Sequence, residues 1–296
     1  MMADKTSVQS STTKSTLPAV QTLLERLPPL SPTLTLLLAT LARENVSYAK
    51  ISDLIEQDPV LAGNVLGLVN SSLFGRREKV NSVRYAVSLL GVSRLRNAAL
   101  SMSITRMWNK MHSPASWSMK NFNRHSLAVA MLVDVLSQEA PIDNPEGAFV
   151  AGLLHDLGKL MVAVCLTGEY TAIEEQIVQM ARPPLECEAE ILGATHAELS
   201  GEAMRAWGMP GPIEAAVRYH HTPELDPARP NQNRFSLSYA VATADEYVNQ
   251  LNWGKVGYAP VNDKPAVYPL EALGLDDVQR VLDLFHEEFE SAKAFF

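Results

Sequence analysis

The stretch FVAGLLHDLGK, residues 149–159, joins a continuous apolar run to a histidine and an aspartate. The apolar run has the character of a buried core helix. Adjacent residues on a helix point about 100° apart, so His155 and Asp156 can coordinate one ion from two directions at the end of that helix. A carboxylate beside a buried run needs a partner, because an unpaired buried charge is costly, and a metal ion is the most economical partner. The stretch therefore predicts a helical core with a metal site at a helix end.

Other histidines and aspartates at helical positions extend this candidate site. Five of the seven histidines lie at helical or helix-terminal positions beside other candidate ligands. The candidate ligands are His125, His155, Asp156, His196, His220, His221 and Asp245. Mixed imidazole and carboxylate ligands suit iron, manganese or zinc better than calcium, and two ions that share a bridging carboxylate could activate water against a phosphoryl group. A single helical histidine is more often a satisfied surface or core group, and we keep that interpretation for His112 and His286.

Apolar residues recur at helical spacing from Leu17 onward, and no run shows convincing strand-type alternation. The sequence therefore predicts an all-α fold. Capping residues mark the first helix starts, namely Ser31-Pro32, Ser47, Asp58-Pro59 and Ser82, and Gly91 separates two helices. Further helices are expected from Ser113-Pro114 through Leu136, over 146–156, 171–180, 196–207, 212–221 and 235–251, and after Asp276 or Asp277.

Composition divides the chain into one large helical domain and its flanks. Residues 1–16 are rich in Ser, Thr and Lys and almost free of large apolar side chains, which predicts a disordered tail. Residues 17–251 form the domain, with an N-terminal helical subdomain over 17–112 and a half that carries the candidate metal site over 113–251. Three prolines and two glycines predict a loop over 252–269, and 270–296 carries an amphipathic C-terminal helix.

The composition of this 296-residue chain is that of an ordinary globular protein, with 47% hydrophobic and 20% charged residues. No uninterrupted apolar run approaches the roughly 20 residues needed to cross a bilayer, and the N-terminus lacks the regions of a signal peptide. We therefore expect a cytoplasmic protein that does not enter a membrane. Cys165 and Cys187 form no CxxC pair, which predicts two buried apolar thiols rather than a disulfide or a zinc cluster.

Charge is distributed unevenly along the chain, whose net charge is -8. Between Ser71 and His125 ten Lys and Arg residues accompany one acid, Glu78, so this segment carries +9 and the remainder -17. Such polarity suits docking to an acidic protein partner or binding a phosphate-bearing ligand, although a solvated helical face is the simpler interpretation. The acidic remainder disfavours nucleic-acid binding by the helix-turn-helix-like stretch from Asn81 to Trp108.

The string from His155 to Lys159, with the flanking histidines, resembles the HD superfamily of metal-dependent phosphohydrolases. The N-terminal half is similar to the HDOD family, an entirely helical domain linked to bacterial signal transduction. The resemblance covers roughly residues 17–251 and rests on a joint pattern. That pattern comprises Leu27-Pro28, Asp58-Pro59 with Leu61, Val65-Leu66, Asn70-Ser71, Phe74-Gly75, Val80, Ser82, Ala86, Leu90-Gly91 and Leu95-Arg96.

The resemblance also implies roles for individual residues. It makes His125, His155, Asp156 and Asp245 the ligands of the basic HD site. His196, His220 and His221 match the additional histidines of the related HD-GYP phosphodiesterases, with Asp156 as the bridge and as a catalytic residue. Lys159 matches a catalytic lysine that helps to hold the scissile phosphate. The chain departs from the HD-GYP enzymes after His221, where TPELDP stands in place of Gly-Tyr-Pro.

Two functional hypotheses follow from the resemblance and the residues together. HDOD proteins are usually regarded as non-catalytic signalling modules, so the first hypothesis is a regulatory protein that carries a divalent-metal site with one or two ions and passes a signal to a protein partner. The second is an active phosphohydrolase acting on a nucleotide or cyclic dinucleotide. The complete ligand set favours the enzyme, whereas the missing Gly-Tyr-Pro favours the module and predicts weak turnover of cyclic di-GMP.

Overall fold

A computed structural model of the chain describes residues 23, 25–27, 29–42, 46–71, 79–228, 230, 233–251, 256–258 and 267–293. Within these ranges the regular structure is helical, and the only β-type contact is an isolated parallel bridge between Ile142 and Phe235. The predicted all-α fold is therefore confirmed. The predicted tail, 1–16, lies outside the described residues, and so does most of the predicted loop, 252–269.

The α-helices are numbered here in chain order over the described residues. They are α1 Pro32–Ala39, α2 Tyr48–Glu56, α3 Pro59–Val69, α4 Val83–Leu90, α5 Val92–Trp108, α6 Met119–Glu139, α7 Ala148–Leu154, α8 Leu157–Cys165, α9 Thr167–Met180, α10 Pro184–Leu192, α11 His196–Ala206, α12 Gly211–Arg218, α13 Leu237–Gln250 and α14 Val278–Ala292. Short 3₁₀ turns at Thr40–Ala42, Pro145–Gly147, Pro223–Leu225 and Leu270–Leu273 join some of them.

Local capping chemistry sets most of the helix starts that the sequence predicts. The side chains of the N-cap residues accept backbone N–H groups of the first turn, which would otherwise lack a partner. These N-cap residues are Ser31, Ser47, Asp58, Ser82, Ser236 and Asp277. Gly91 joins α4 to α5 with a φ of 82°, a conformation that glycine adopts without a Cβ clash.

The predicted helix start at Ser113-Pro114 is wrong, because α6 begins at Met119. Pro114 instead opens a turn that closes when the backbone N–H of Trp117 donates to its carbonyl at 3.0 Å. Ser118 then supplies the cap, since its hydroxyl accepts the backbone N–H of Asn121 at 3.2 Å.

The predicted helix over 146–156 is also wrong in its extent. A 3₁₀ turn precedes α7, which ends at Leu154, and a second helix, α8, starts at Leu157. The sequence interpretation missed α8 and α10. Of the two cysteines, Cys187 is buried as predicted, whereas Cys165 is only half-buried.

One continuous apolar core links the N-terminal helices to the second half of the molecule. Helices α1 to α4 pack on one another and on α5, and α5 in turn contacts α6 and α7. Helix α6 is the central element of the second half, where it packs against α7, α13 and α14. The stretch Pro145–Cys165 is apolar and long enough to cross a bilayer, but 89% of its most apolar window is buried inside the protein, as in a core helix.

Gly152 permits a close approach between two core helices, α6 and α7. A Cβ at Gly152 of α7 would lie 2.7 Å from the backbone Cα of Ala130 on α6 and 3.0 Å from the carbonyl oxygen of Val129. Backbone atoms of a buried helix cannot yield as a side chain can, so glycine at this position sets the distance between α6 and α7.

We predict that Gly152→Ala lowers the free energy of unfolding by about 1 to 3 kcal/mol, because the added methyl overpacks the contact between α6 and α7. Gly67→Ala is the matched control, since a Cβ at this exposed helical glycine would meet nothing within 4 Å. The control should raise stability by about 0.5 to 1 kcal/mol through helix propensity. Urea denaturation measures the free energy of unfolding of both variants. Equal changes in that free energy would contradict the packing argument.

Candidate metal centre

His155 and Asp156 lie at the break between α7 and α8. Asp156 has φ -95° and ψ 12°, in the sparsely populated bridge region where residues of functional sites often lie. His155 Nδ1 donates to the carbonyl oxygen of Gly152 at 2.7 Å, which leaves its Nε2 turned towards Asp156. The helix is interrupted here, and both side chains are fully buried.

Gly158 brings this break against the start of α11. A Cβ at Gly158 would lie 2.1 Å from the carbonyl oxygen of His196, so only glycine fits without a shift of the backbone. The backbone N–H of Gly158 donates to Ser200 Oγ at 2.7 Å, and that hydroxyl donates to the carbonyl oxygen of His196 at 2.8 Å. These contacts hold Asp156 and His196 next to each other.

The first group of candidate ligands faces Asp156 Oδ2. His125 Nε2 of α6 lies 3.7 Å from this oxygen and His155 Nε2 lies 3.5 Å from it. Asp245 of α13 completes the group, with its Oδ1 at 3.0 Å from His125 Nε2 and 3.4 Å from His155 Nε2. Two imidazoles and two carboxylates from three parts of the chain therefore converge on one point.

The second group faces the other oxygen of the same carboxylate. His196 Nε2 lies 3.2 Å from Asp156 Oδ1, and His220 Nε2 lies 3.7 Å from it. His221 Nε2 lies 2.9 Å from His196 Nε2. Candidate ligand atoms of Asp156, His196, His220 and His221 all lie within 4.8 Å of one another. Asp156 thus belongs to both groups, one through each oxygen.

Two buried atoms of this cluster have no hydrogen-bond partner among the described residues, namely Asp156 Oδ1 and His220 Nε2. His220 Nδ1 donates to the carbonyl oxygen of Val217 at 2.7 Å, so its Nε2 carries the lone pair and points towards Asp156. Buried polar atoms are nearly always satisfied, and a lone pair and a carboxylate oxygen that face each other are both acceptors. The donor set therefore fits a divalent transition metal.

The pKa values of two of the imidazoles agree with this arrangement. Burial lowers the pKa of His220 well below its ordinary value and that of His221 to about 3, so both rings stay neutral, as metal ligands must be. For His155 and His196, burial would lower the pKa, but Asp156 and Glu188 respectively outweigh it and the pKa is raised. For Asp156, burial would raise the pKa, but the Lys159 ammonium and His155 outweigh it and hold the pKa well below the ordinary value. Asp156 is thus an anion in the interior of the protein.

Lys159 is the remaining residue to which the sequence analysis gave a role. Its Nζ donates to Asp156 Oδ2 at 2.8 Å, and the side chain is buried. Burial would lower the pKa of Lys159, but the charge of Asp156 outweighs that effect and raises it, so the side chain remains an ammonium. A fixed cation therefore lies beside the carboxylate that joins the two groups.

Sequence reasoning missed Glu188 on α10, which holds His196 in place. Both of its carboxylate oxygens accept from His196 Nδ1, at 2.8 and 2.9 Å, and one also accepts the backbone N–H of His196 at 2.7 Å. Tyr258 donates its hydroxyl to the same carboxylate. Carboxylates in this position commonly orient metal-binding histidines. The signal in the sequence is the apolar residues Leu185, Ile191 and Leu192, which lie three or four positions from Glu188 on the same face of the helix.

All seven predicted ligands and Lys159 are thus brought together. The cluster is deeply buried, since His155 and Asp156 are 0% exposed, and His221 is the one predicted ligand that remains partly exposed. His112 and His286 lie apart from it. His112 is exposed, and His286 Nε2 forms a hydrogen bond with the Tyr247 hydroxyl at 3.0 Å.

The architecture is that of an all-helical, multi-helix domain. The sequence model of the HDOD domain family matches residues 27–223, two thirds of the chain, and the chain therefore belongs to this family. The match includes every candidate ligand except Asp245, which lies beyond its end.

Solved structures share this fold over almost the whole chain. An HDOD domain protein of unknown function from Geobacter sulfurreducens is 25% identical with a TM-score of 0.73, and the match covers 94% of this chain and 98% of that one. A protein from Marinobacter aquaeolei, provisionally assigned to signal transduction, is 22% identical with a TM-score of 0.68, covering 95% and 64%. A Shewanella amazonensis protein provisionally named a phosphohydrolase is 20% identical with a TM-score of 0.69, covering 94% and 97%.

The chain spans about a third of the length of the curated relative it matches, an uncharacterised protein of Treponema pallidum. The two are 24% identical over 177 residues, which make up 60% of this chain and 34% of the relative.

We predict that Glu188→Gln lowers the free energy of unfolding by about 3 kcal/mol in chelator-treated buffer, because the amide leaves one acceptor oxygen for three donors, the ring and backbone N–H groups of His196 and the hydroxyl of Tyr258, and removes a buried charge partner. Glu186→Gln is the matched control, since Glu186 lies on the same helix but is exposed. It should change stability by less than about 0.5 kcal/mol. Urea denaturation distinguishes the two variants, and a Glu188→Gln variant as stable as the control would show that Glu188 does not hold His196.

Proposed function

We propose that this chain is a regulatory protein of bacterial signal transduction that binds divalent transition metal in its buried histidine and aspartate cluster. His125, His155, Asp156 and Asp245 would hold one ion. Asp156, His196, His220 and His221 would hold a second. The mixture of imidazole and carboxylate ligands suits iron, manganese or zinc.

One observation carries this proposal, the position of Asp156 between the two groups. Each of its oxygens faces a different set of side chains, and the side chain is fully buried. An ionised carboxylate without solvent is costly unless cations or donors surround it. Oδ1 has no hydrogen-bond partner among the described residues and faces the lone pair of His220, and a divalent ion between these two acceptors would satisfy both.

The burial of the cluster favours a regulatory role over an efficient hydrolase. Catalytic metal sites keep an open position for water and substrate. Here the bridging carboxylate and its neighbouring imidazoles are almost without exposure, apart from His221. A buried ion of this kind stabilises one arrangement of the helices that carry its ligands, and gain or loss of the ion then changes the surface presented to a partner.

The segment after His221 supports the same assignment. The chain has no Gly-Tyr-Pro there. Asp226 turns inward, where its carboxylate accepts the Ser238 hydroxyl at 2.6 Å, and Glu224 is exposed and accepts the Tyr268 hydroxyl at 2.9 Å. Both acids are thus held by hydroxyl groups of other segments, and the absence of Gly-Tyr-Pro is the feature that separates this chain from the HD-GYP enzymes.

The partner of a regulatory module would be another signalling protein in the cytoplasm. The excess of basic residues between Ser71 and His125 is partly neutralised within the fold. Four of its members form ion pairs with acids from other segments, namely Arg84 with Asp53, Arg94 with Glu288, Arg96 with Glu146 and Arg106 with Asp58. Arg76 and Arg77 lie outside the described residues. This pairing lowers the positive charge available to nucleic acid.

A second candidate function is metal-dependent phosphohydrolysis of a nucleotide or cyclic dinucleotide, and Lys159 is the observation that favours it. Its ammonium lies 2.8 Å from Asp156 Oδ2, where it could move to pair with a phosphate oxygen. Bound metal would polarise the phosphoryl group and activate water. Asp156 would hold the bridging position, and the neutral imidazoles of His220 and His221 would contribute lone pairs.

The metal-binding proposal predicts that protein purified without added metal or an affinity tag carries iron, manganese or zinc, and that Asp156→Ala removes most of it because both groups lose their common ligand. Elemental analysis measures the content. Asp283→Asn is the control, since Asp283 is an exposed residue of α14. Less than about a tenth of an equivalent of all transition metals in the wild-type protein, even after incubation with each ion, would overturn the proposal.

The two candidate functions differ in their predicted turnover. For the regulatory protein we predict weak hydrolysis, if any, when metal-loaded protein is incubated with cyclic di-GMP or with a generic phosphodiester, because in-line positioning of the phosphate is missing. Asp156→Ala protein, incubated with the same metal ions, provides the blank. Robust turnover of cyclic di-GMP that disappears in this variant would replace the regulatory proposal with the enzyme.

A further inference from the structure

A cavity of about 370 Å³ lies where the N-terminal helices meet α6 and the C-terminal helix α14. This volume falls within the range of small-molecule binding sites, which run from roughly 300 to 1,000 Å³. Much of its wall is apolar, with Leu68, Leu127, Met131, Phe149 and Leu284 among the lining residues. Such a cavity favours a ligand with an apolar body.

Two polar side chains in the lining have buried atoms without a hydrogen-bond partner among the described residues. These atoms are Asn97 Oδ1 and Ser101 Oγ, whose residues are 6% and 1% exposed. Four positions separate them on α5, so they lie on the same face of that helix. Buried polar atoms are rarely left unsatisfied in a native structure, so this pair indicates a polar group of a ligand that donates hydrogen bonds.

The charges around the cavity select a cation over an anion. Its lining holds three carboxylates, Asp134, Glu287 and Glu288, against one cation, Arg94, which leaves an excess of two negative charges. Arg94 is already paired with Glu288 at 2.6 Å. Among the residues that the structure describes, the Asp134 carboxylate receives two long hydrogen bonds, from Asn97 Nδ2 at 3.3 Å and from Gln138 Nε2 at 3.4 Å. Burial, and then the charge of Glu288, raises the pKa of Asp134 to about 6. An anion would meet repulsion here, whereas a cation would supply the missing partner.

We propose that this cavity binds a small organic cation that joins a primary ammonium group to an apolar chain or ring. The ammonium lies among Asp134, Asn97 and Ser101 and donates its N–H groups to their oxygens. The apolar body packs against Leu127, Met131 and Leu284.

The proposed site is separate from the metal centre. Asp134 and His125 both belong to α6, but they are nine residues apart, or about 13 Å along the helix axis. No lining residue of the cavity is a candidate metal ligand. The inference therefore goes beyond the proposed function, and loss of metal and loss of amine binding can be measured independently.

The test uses hexylamine as the probe, with 1-hexanol and hexanoate as its neutral and anionic counterparts, in calorimetric titrations of the full chain. We expect saturable binding of one hexylamine and no binding of hexanoate. Asp134→Asn, which keeps the shape of the side chain, should weaken hexylamine binding by about tenfold or more, because it removes a charged hydrogen-bond acceptor. Glu175→Gln makes the same chemical change at an exposed residue of α9 and should leave the affinity unchanged.

The affinity should also depend on pH in one direction. Hexylamine stays protonated below neutral pH, whereas Asp134 loses its charge as the pH falls through about 6, so binding should weaken between about pH 7 and about pH 5. Glu288, Arg94 and Arg96 are the charged groups that act on Asp134, and Glu287 shares the lining. Asp134→Asn should make the hexylamine affinity independent of pH in this range. That result would assign the titration to Asp134 rather than to Glu287 or Glu288.

Several results would overturn the proposal. They are an absence of hexylamine binding at about 10 mM to protein that melts cooperatively, equal affinities for hexylamine and 1-hexanol, or unchanged hexylamine affinity in Asp134→Asn. Ser101→Leu would fill the cavity and should abolish binding. If that variant does not fold, the isosteric Asp134→Asn variant still decides the outcome.

Discussion

The ionised carboxylate of Asp156, enclosed where no water reaches it, is the constraint on which the rest of this structure depends. Removing a carboxylate from water costs several kcal/mol even after the protein relaxes. The chain offsets that cost by surrounding Asp156 with the Lys159 ammonium and with imidazoles from separate helices. Because these groups come from α6, α8, α11 and the end of α12, the helices of the second half must pack in one arrangement.

Backbone contacts and a second layer of hydrogen bonds make that arrangement specific. His155 and Asp156 lie together at the break between α7 and α8, and Gly158 lets the backbone of His196 approach more closely than any Cβ allows. Glu188 then orients His196 and is itself held by Tyr258, which is 70 residues away in the chain. The supporting residues are thus as necessary to the geometry as the ligands that they position.

The burial of the histidine and aspartate cluster also supports the proposed function. A site with little solvent access retains its ion well but admits a large substrate poorly, which favours a structural or sensing role for metal in this HDOD protein. Helix α6 carries both His125 of the metal centre and Asp134 of the cavity beneath α14. A single rigid element therefore joins the two sites, and its packing against α5 links both to the N-terminal helices.

The sequence by itself determined the all-α fold and the members of the candidate cluster, because both depend on local signals: helical periodicity, caps such as Ser31 and Asp58, and histidines beside aspartates. It did not predict α10 or the role of Glu188, since a glutamate on a short helix is expected to be exposed, and only tertiary packing buries it. Only the tertiary structure decided that each Asp156 oxygen faces a different group of imidazoles. That division depends on how closely α8 and α11 approach through Gly158, a distance between segments that no local pattern encodes.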